Sequence, residues 1–228
     1  MDTKDLSDIP NYGSLMHQLV LPRYQFTIRD ECTGVQFLSF GSECCTFYGV
    51  LAIKRLLEHF KAKGVTMDQV VLRTDNGTEY TGNRLDHSET GFVHAVEIER
   101  GATHHFNRVG RPNDNADVES VHHTIEREFY ELEGQTFTSL DDFLAKASIY
   151  QHYYNLARLN YSKGKKSPLD ILEERQVQLG ADDPTAGISK RIFLLPPVVY
   201  GNPPKHRAPQ RQVGQDVAAL AGCSDFLP

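Results

Sequence analysis

The amino-acid sequence predicts an α/β domain built on a mixed sheet. Three patterns support this prediction: an alternating hairpin over residues 23–40, a helix that follows it, and a short apolar strand at residues 70–72. The hairpin has the two-residue period of a strand, whereas the helix places apolar residues three or four positions apart. A hairpin, a helix and a buried strand in this order are typical of a mixed α/β sheet.

The composition is that of a soluble globular protein with one domain and an extension. The chain has 228 residues, of which 39% are hydrophobic and 24% are charged, enough apolar material for a core. No apolar run reaches the roughly 20 residues of a membrane span, and no signal peptide opens the chain, so no membrane partner is expected. Four cysteines form no C-x-x-C pair, which favours a reducing, cytoplasmic location over a zinc site or a disulfide framework.

The elements of the first part of the chain are predicted in order. Proline and glycine predict a loop from Pro10 to Pro22. The alternating segments 23–29 and 35–40 are predicted to pair as a hairpin. A helix is then predicted from Ser42 until Gly64 ends it. Five apolar residues of this helix are expected to face the core: Phe47, Val50, Leu51, Leu57 and Phe60.

Asp75 follows the short apolar strand and is the first candidate functional residue. Residues 70–72 suit a strand buried on both faces, and Asn76-Gly77 suits a sharp turn with left-handed backbone. Open α/β sheets bind ligands at the carboxyl ends of their strands, which is where Asp75 would lie. An ordinary turn is the alternative interpretation, because short motifs match by chance.

The chain then continues to a second carboxylate, Glu119. Residues 81–100 are predicted as a short helix or an irregular strand, residues 102–106 as a last strand, and 108–112 as a mobile loop. Asn113 or Asn115 can cap the next helix, whose buried face is predicted to consist of Val118, Val121, Ile125 and Phe129. Glu119 lies off that face near the helix N-terminus, which favours an ionised carboxylate. A solvated helix charge is the alternative.

The last third of the chain is predicted as two helices and a tail. Ser139 and Asp142 predict a capping box, and Pro168 starts a brief helix that runs to Glu174. Beyond Gln178 the composition changes to proline, glycine and polar residues, and Pro196-Pro197 excludes an ordinary central strand from the apolar segment 192–200. The tail from about Gly201 is predicted to be extended or disordered.

Three motifs together resemble the retroviral-integrase-like core of bacterial insertion-sequence transposases. They are Asp2-Thr3-Lys4, the run from Thr74 to Tyr80, and the run from Asn115 to Glu119; the stretch from Tyr154-Asn155 to Pro168 is similar to the closing pattern of that family. The resemblance implies a ribonuclease-H-like fold, with a mixed five-stranded sheet flanked by helices and an extended C-terminal tail. It implies an integrase catalytic core at residues 1–175, N-terminally truncated because Met1 directly precedes Asp2, and a C-terminal extension at 176–228.

The same resemblance implies a D-D-E triad formed by Asp2, Asp75 and Glu119. These carboxylates would be the catalytic residues and would hold two Mg²⁺ (or Mn²⁺) ions about 3.5–4 Å apart. The implied activity is metal-dependent cleavage of DNA strands and their transfer during transposition. Asp30 and Asp5 compete with Asp2 for the position of the first acid.

The implied partners are DNA, at the element ends and at the target, and further copies of the chain, with no small-molecule substrate. The candidate DNA-binding residues are Arg108, Arg111, His123, Lys163, Lys165 and Lys166. A net charge of −6 is unusual for a nucleic-acid-binding protein, so either basic patches on one face or a missing DNA-binding module is expected.

Four histidines, at positions 104, 105, 122 and 123, allow a zinc interpretation. No cysteine pairs accompany them at finger spacing, so surface or DNA-facing histidines are expected instead. Two further interpretations of the whole chain stay open. One is a truncated, inactive transposase remnant. The other is a catalytically silent module that binds DNA or protein while keeping the fold.

Overall fold

The computed structural model of the protein describes residues 1–81, 91–108, 116–179 and 190–201. The strands in these ranges are β1 (Asp2–Asp5), β2 (Tyr24–Arg29), β3 (Gln36–Gly41), β4 (Val71–Thr74), β5 (Thr103–Phe106) and β6 (Val199–Tyr200). The α-helices are α1 (Pro10–Leu19), α2 (Thr46–Ala62), α3 (Thr78–Thr81), α4 (Phe92–Glu97), α5 (Ala116–Ile125), α6 (Glu131–Glu133), α7 (Leu140–Leu156) and α8 (Pro168–Leu179). A π-helical turn, Glu126–Tyr130, joins α5 to α6. Short 3₁₀ turns occupy Met67–Gln69, Tyr161–Lys163 and Lys190–Leu194.

The strands form two sheets, which differs from the five-stranded sheet that the resemblance implied. One sheet has the order β1-β2-β3-β6, with antiparallel pairs except for β3 and β6, and the other consists of the parallel pair β4-β5. The two sheets meet where the Met1 amino group donates a hydrogen bond to the Arg73 carbonyl at 2.7 Å. Because β1 has only four residues, it has few backbone groups with which to continue that ladder.

Helices cover both faces of the larger sheet, and each face has its own core. Phe26 and Phe37 belong to the core that α2 and α4 complete. Leu38 and Phe40 belong to the core that α1, α5 and α7 complete. This mixed α/β arrangement was predicted, and it places α5, the helix that carries Glu119, against the sheet.

The predicted loop at residues 10–22 is wrong, because Pro10–Leu19 is helix α1. Pro10 lies in the first turn, where its missing N–H does no harm, and Val20 ends the helix in the left-handed conformation with φ 54°. Gly13 is required here by close approach, since a Cβ atom would lie 2.6 Å from the Ser7 carbonyl oxygen. The buried side chains of Tyr12 and Met16 attach the helix to the core.

Two predictions of burial are also wrong. Val71 is 53% exposed, so β4 is covered on the face of Leu72 and Thr74 but not on both faces. Phe47, in the first turn of α2, which begins only at Thr46, is 65% exposed. The later turns of α2 bury Val50 and Leu57 as predicted, together with Ile53 and Leu56.

Other predicted elements are confirmed. The hairpin pairs β2 with β3, Gly64 ends α2 with φ 90°, and the four predicted residues of α5 and its π-helical turn are buried. Ser139 accepts a hydrogen bond from the Asp142 amide, as its capping role predicts. Residues 81–100 include a helix, α4, and the strand predicted at 102–106 is β5, although β6 follows it. The predicted loop at 109–112, the caps at Asn113 and Asn115, and the tail after Gly201 lie outside the described residues.

The free edge of β3 is completed by side chains of α7. Asn155 accepts a hydrogen bond from the Gln36 amide at 2.9 Å and donates one to the Gln36 carbonyl at 2.8 Å. Gln151 accepts from the Leu38 amide at 2.7 Å. Farther along, the Phe40 amide donates to the Val198 carbonyl, where β6 begins to take over the edge. The side-chain amides of Asn155 and Gln151, one helical turn apart, therefore form the hydrogen bonds that a neighbouring strand would otherwise form with β3.

In the described residues, no helix is both long enough and apolar enough to cross a bilayer.

Candidate functional site

Asp75 lies immediately after β4, at the carboxyl end of the strand, as predicted. Its Oδ1 atom accepts a hydrogen bond from the Gly77 amide at 3.0 Å, which orients the carboxylate at the start of α3. The predicted left-handed turn is wrong, because neither Asn76 nor Gly77 has a positive φ. Gly77 is needed for space instead, since a Cβ atom there would lie 2.5 Å from Glu79 Oε2.

The environment of Asp75 disfavours its charged form. Burial raises the pKa of Asp75, and the negative charges of Glu79 and Glu119 raise it further, while the Gly77 hydrogen bond opposes them. A raised carboxylate pKa is the electrostatic signature expected where several acids share a partly dehydrated site. Burial, rather than repulsion between the acids, is the largest cause here.

Asp2 begins β1 and is 8% exposed. The hydrogen bond from the Met1 amino group to the Arg73 carbonyl brings the start of β1 beside the end of β4. The same amino group is in the field of both Asp2 and Asp75, although burial dominates and lowers its pKa to about 6. The first two predicted acids therefore lie where the two sheets meet, Asp2 at the start of β1 and Asp75 just after β4.

Glu119 is exposed in the first half of α5, and its charge reaches Asp75. The start of α5 therefore lies within electrostatic reach of Asp75. Within residues 1–81, 91–108, 116–179 and 190–201, however, no three His, Cys, Asp or Glu side chains are grouped so as to hold a metal ion. Carboxylate oxygens suit a hard cation such as Mg²⁺ in kind, but the described side chains are not assembled as a three-ligand cage.

Glu79 is an acid of this region that the sequence analysis missed. It is 8% exposed, and its charge contributes to the raised pKa of Asp75 and of Cys44, the latter reaching about 12 mainly through burial. The available signal was its place in the first turn of the short helix that follows Asp75.

The two competitors for the first acid have structural partners of their own. Asp30 accepts hydrogen bonds from the Thr33 amide at 2.7 Å and the Thr33 hydroxyl at 2.6 Å, within the turn between β2 and β3. Asp5 forms an ion pair with Arg23 at 2.8 Å. Its hydrogen bonds to Arg23 and Ser7 lower the pKa of Asp5 to about 2 against the opposing effect of burial.

The predicted DNA-binding lysines contact the protein itself. Lys163 donates to the Glu31 carbonyl at 2.7 Å and Lys166 pairs with Glu174 at 2.5 Å. The Lys165 ammonium lies 5.6 Å from the centre of the Tyr161 ring.

The other predicted DNA-binding residues lie elsewhere. Arg108 is exposed just beyond β5, and His123 is exposed on α5. Arg111 lies outside the described residues.

Two of the four histidines are buried, contrary to the expectation of surface positions. His104 and His122 hydrogen-bond through Nε2 to the hydroxyls of Thr74 and Thr27, each at 3.0 Å. Burial lowers the pKa of each to about 4. Alternation along β5 turns His104 inward and exposes the next residue, and on α5 His122 falls on the buried face.

A polar contact joins His122 to the first acid. Its Nδ1 atom lies 3.6 Å from Asp2 Oδ2, longer than a hydrogen bond. The low pKa makes this a contact between a neutral imidazole and a carboxylate at neutral pH.

A shallow cleft opens beside these acids. It is lined by Met1, Arg29, Glu31, Arg73, Asn107, Asp117 and Val118. Its walls therefore come from the starts of β1 and α5 and from the ends of β2, β4 and β5, the same edge of the fold at which Asp2 and Asp75 lie.

One family model matches part of the chain. Residues 100–168 match the family model described as an integrase core domain. No curated protein matches the chain. The matched range, residues 100–168, includes β5, α5 and α7 and therefore contains Glu119.

Two solved structures are similar to the chain. The catalytic core domain of BIV integrase aligns with 16% identity and a TM-score of 0.49, covering 69% of this chain and 90% of that one. A chain of the simian T-cell lymphotropic virus intasome, in complex with PP2A regulatory subunit B56 gamma, aligns with 14% identity and a TM-score of 0.50, covering 81% of this chain. The protein spans 54% of the length of that second chain. At 14% identity the likeness to the second chain concerns the fold alone, and with the family match it indicates an integrase-core, ribonuclease-H-like fold.

Proposed function

We propose that this chain, which has an integrase-core, ribonuclease-H-like fold, is a transposase or integrase core that cuts DNA strands and joins them to new sites. Asp2, Asp75 and Glu119 would be its catalytic residues. The single observation that carries the proposal is the setting of Asp75, at the carboxyl end of β4, partly buried and within the field of Glu119 on α5.

The proposed reaction is two displacements at phosphorus. In the first, a water oxygen bonds to the phosphorus at an element end while the bond to the 3′-oxygen breaks, and that oxygen leaves as a hydroxyl. In the second, the freed 3′-hydroxyl attacks a phosphorus of the target, and a target 3′-oxygen leaves with the proton. The first step converts one phosphodiester into a 5′-phosphate and a 3′-hydroxyl, the second exchanges one phosphodiester for another, and neither needs an oxidant or reductant.

Asp2, Asp75 and Glu119 would hold divalent cations, two Mg²⁺ or Mn²⁺ ions per site. Such ions, when bound, stabilise charge on the attacking and leaving oxygens. The chain's own contribution is to orient the acids: Gly77 holds Asp75 by its amide, and strand pairing holds Asp2 opposite Thr27. The raised pKa of Asp75 supports the proposal, because a bound cation would relieve the cost of ionising this carboxylate.

DNA would be the partner, and further copies of the chain would assemble around it. Arg108, just beyond β5, and His123, on α5 four residues after Glu119, are both exposed, so they are candidates to meet phosphate. Lys163 and Lys166 would have to leave their present partners first. Binding should therefore be weak and steeply dependent on salt, because few phosphate contacts are ready-made.

The test is nicking of a supercoiled plasmid by the 228-residue chain in Mg²⁺ or Mn²⁺. Asp75→Asn should abolish nicking without unfolding the protein. The control is Asp8→Asn, which removes an exposed carboxylate paired only at the surface with Lys4 and should leave nicking unchanged. Equal nicking by the parent and Asp75→Asn would refute the proposal.

A second candidate is a catalytically silent module that binds DNA or protein. It is favoured by the lack of a three-ligand group among the described side chains. In that case the parent and Asp75→Asn would bind DNA equally, and neither would nick it in any divalent metal.

A further inference from the structure

One face of β2 is polar and yet buried. Alternate residues share a strand face, and Gln25, Thr27 and Arg29 are that face of β2. Their exposures are 1% and 0% for Gln25 and Thr27, and 3% for the Arg29 side chain. Polar side chains in such positions need partners, since burying them unpaired costs free energy.

Helix α5 and the turn after it supply one partner to each of these three side chains. Tyr130 donates its hydroxyl to Gln25 Oε1 at 2.7 Å. His122 meets the Thr27 hydroxyl at 3.0 Å. Asp117 Oδ2 accepts from Arg29 Nε at 2.6 Å. Three successive positions on one strand are thus matched to three points along one helical segment, which sets the position of the helix along the strand.

These polar contacts also form a continuous chain from Tyr130 to Asp2. Tyr130 donates to the Gln25 oxygen, and the Gln25 amide donates to Thr27 Oγ1 at 2.8 Å. The Thr27 hydroxyl in turn meets His122 Nε2 at 3.0 Å. The other ring nitrogen of His122, Nδ1, faces Asp2 Oδ2 at 3.6 Å.

Among the three side chains, Arg29 donates hydrogen bonds to the largest number of residues. Its guanidinium also donates to the Gly34 carbonyl at 2.7 Å and to the Tyr154 hydroxyl at 2.9 Å. A planar guanidinium with three acceptors in place has one orientation, which a lysine ammonium cannot reproduce. Asp117 is 48% exposed and lies in the first turn of α5, two residues before Glu119.

We infer that Arg29 and Asp117 are positioning residues, which hold the first turn of α5 so that Glu119 meets Asp75 and Asp2. The inference rests on the proposed function, since it concerns the same site. Strand β2 is the common reference: it pairs with Asp2 through Thr27 and holds the Glu119 turn through Arg29. Neither residue is proposed to touch DNA or metal.

The test compares Asp117→Asn, Asp117→Glu and Arg29→Lys with the parent in the full 228-residue chain. The control, Glu58→Gln, removes an exposed carboxylate that also pairs with an arginine, Arg100, by a short contact. Three quantities are measured: plasmid nicking as kcat and KM, Mn²⁺ affinity from the EPR signal of the free ion, and the urea midpoint of unfolding.

Asp117→Asn and Arg29→Lys should lower kcat or Mn²⁺ affinity by about 10- to 100-fold, as loss of a group that orients a ligand does. KM for the plasmid should stay within about twofold, because no DNA contact is removed. Asp117→Glu should recover most of the loss, since the half-exposed site has room for a longer carboxylate. Glu58→Gln should match the parent.

The failures are distinguishable. If the parent neither binds Mn²⁺ nor nicks DNA, the proposed function falls and the positioning role falls with it. If the parent does both and Asp117→Asn equals it, only the positioning role is refuted. If Asp117→Asn is impaired while Arg29→Lys is not, Asp117 acts without Arg29 and the inference is refuted. The urea midpoint separates these results from unfolding.

Discussion

Asn155 should be among the most sensitive positions of the fold, although it lies in a motif associated with a catalytic family. It is fully buried, and its amide satisfies both the N–H and the C=O of Gln36 on β3, at 2.9 and 2.8 Å. Replacing Asn155 with leucine keeps the approximate size of the side chain but leaves both backbone groups without a partner. No water can substitute in a site that is closed to solvent.

The magnitude follows from the two lost hydrogen bonds. A buried donor or acceptor left unsatisfied costs about 1–3 kcal/mol, so two such groups give about 2–6 kcal/mol. Domains unfold with a free energy of only about 5–15 kcal/mol. Asn155→Leu should therefore remove a large fraction of the stability, and Gln151 on the next turn should be unable to compensate, since it is bonded to Leu38.

Equilibrium unfolding in urea, followed by far-UV circular dichroism, measures the effect. With a slope of about 2–3 kcal/mol/M, the midpoint should fall by about 1 M or more. The matched control is Asn160→Ala, which removes an amide oxygen that caps the Ser162 backbone in a more exposed turn, where water can replace it. A loss below about 1 kcal/mol for Asn155→Leu, or equal losses for both variants, would refute the argument that burial makes these bonds essential.

Three further predictions concern the acids and a buried histidine. Asp75→Asn should leave the metal-free protein as stable as the parent, or more stable, at pH 8. A raised pKa of Asp75 in the folded state stabilises the fold fully only below its unfolded pKa, and this stabilisation is lost as pH rises through the folded pKa. Urea unfolding of both proteins at pH 5 and pH 8 would measure the difference. Mg²⁺ at ten times its dissociation constant should stabilise the parent by about 1.4 kcal/mol, and Glu119→Gln should lose most of that gain in thermal melts; an undiminished gain would exclude Glu119 as a ligand. His104, whose pKa burial lowers to about 4, stabilises the fold above its unfolded pKa, and this is lost as pH falls from about 6.5 toward 4, by up to ~3 kcal/mol. His104→Gln should flatten that decline, and an unchanged pH profile would contradict it.

The amino-acid sequence alone was sufficient for features that depend on near neighbours. The hairpin of β2 and β3, the glycine that ends α2 and the serine that caps α7 were all predicted, because each rests on contacts within a few residues. The place of Asp75 at the end of β4 was predicted for the same reason, since strand and turn are adjacent in the chain. The roles of Asp2, Asp75 and Glu119 as a triad stay predictions.

Tertiary structure decided what lies opposite each face. Alternation along β2 places Phe26 and Ile28 on one face, which is core, and by itself it would leave the opposite face, with Thr27 and Arg29, to solvent. The side chains of Thr27 and Arg29 are nevertheless buried, because α5 covers them. The partners of Arg29, Asp117 and Tyr154, are 88 and 125 residues away in the chain. No local pattern encodes such contacts, since the free energy of a buried polar group depends on which distant side chain meets it. The sequence therefore predicted that Asp75 ends a strand, because strand and turn are neighbours in the chain. Only the folded chain shows that α5, the helix of Glu119, is attached to β2 through Arg29 and Asp117.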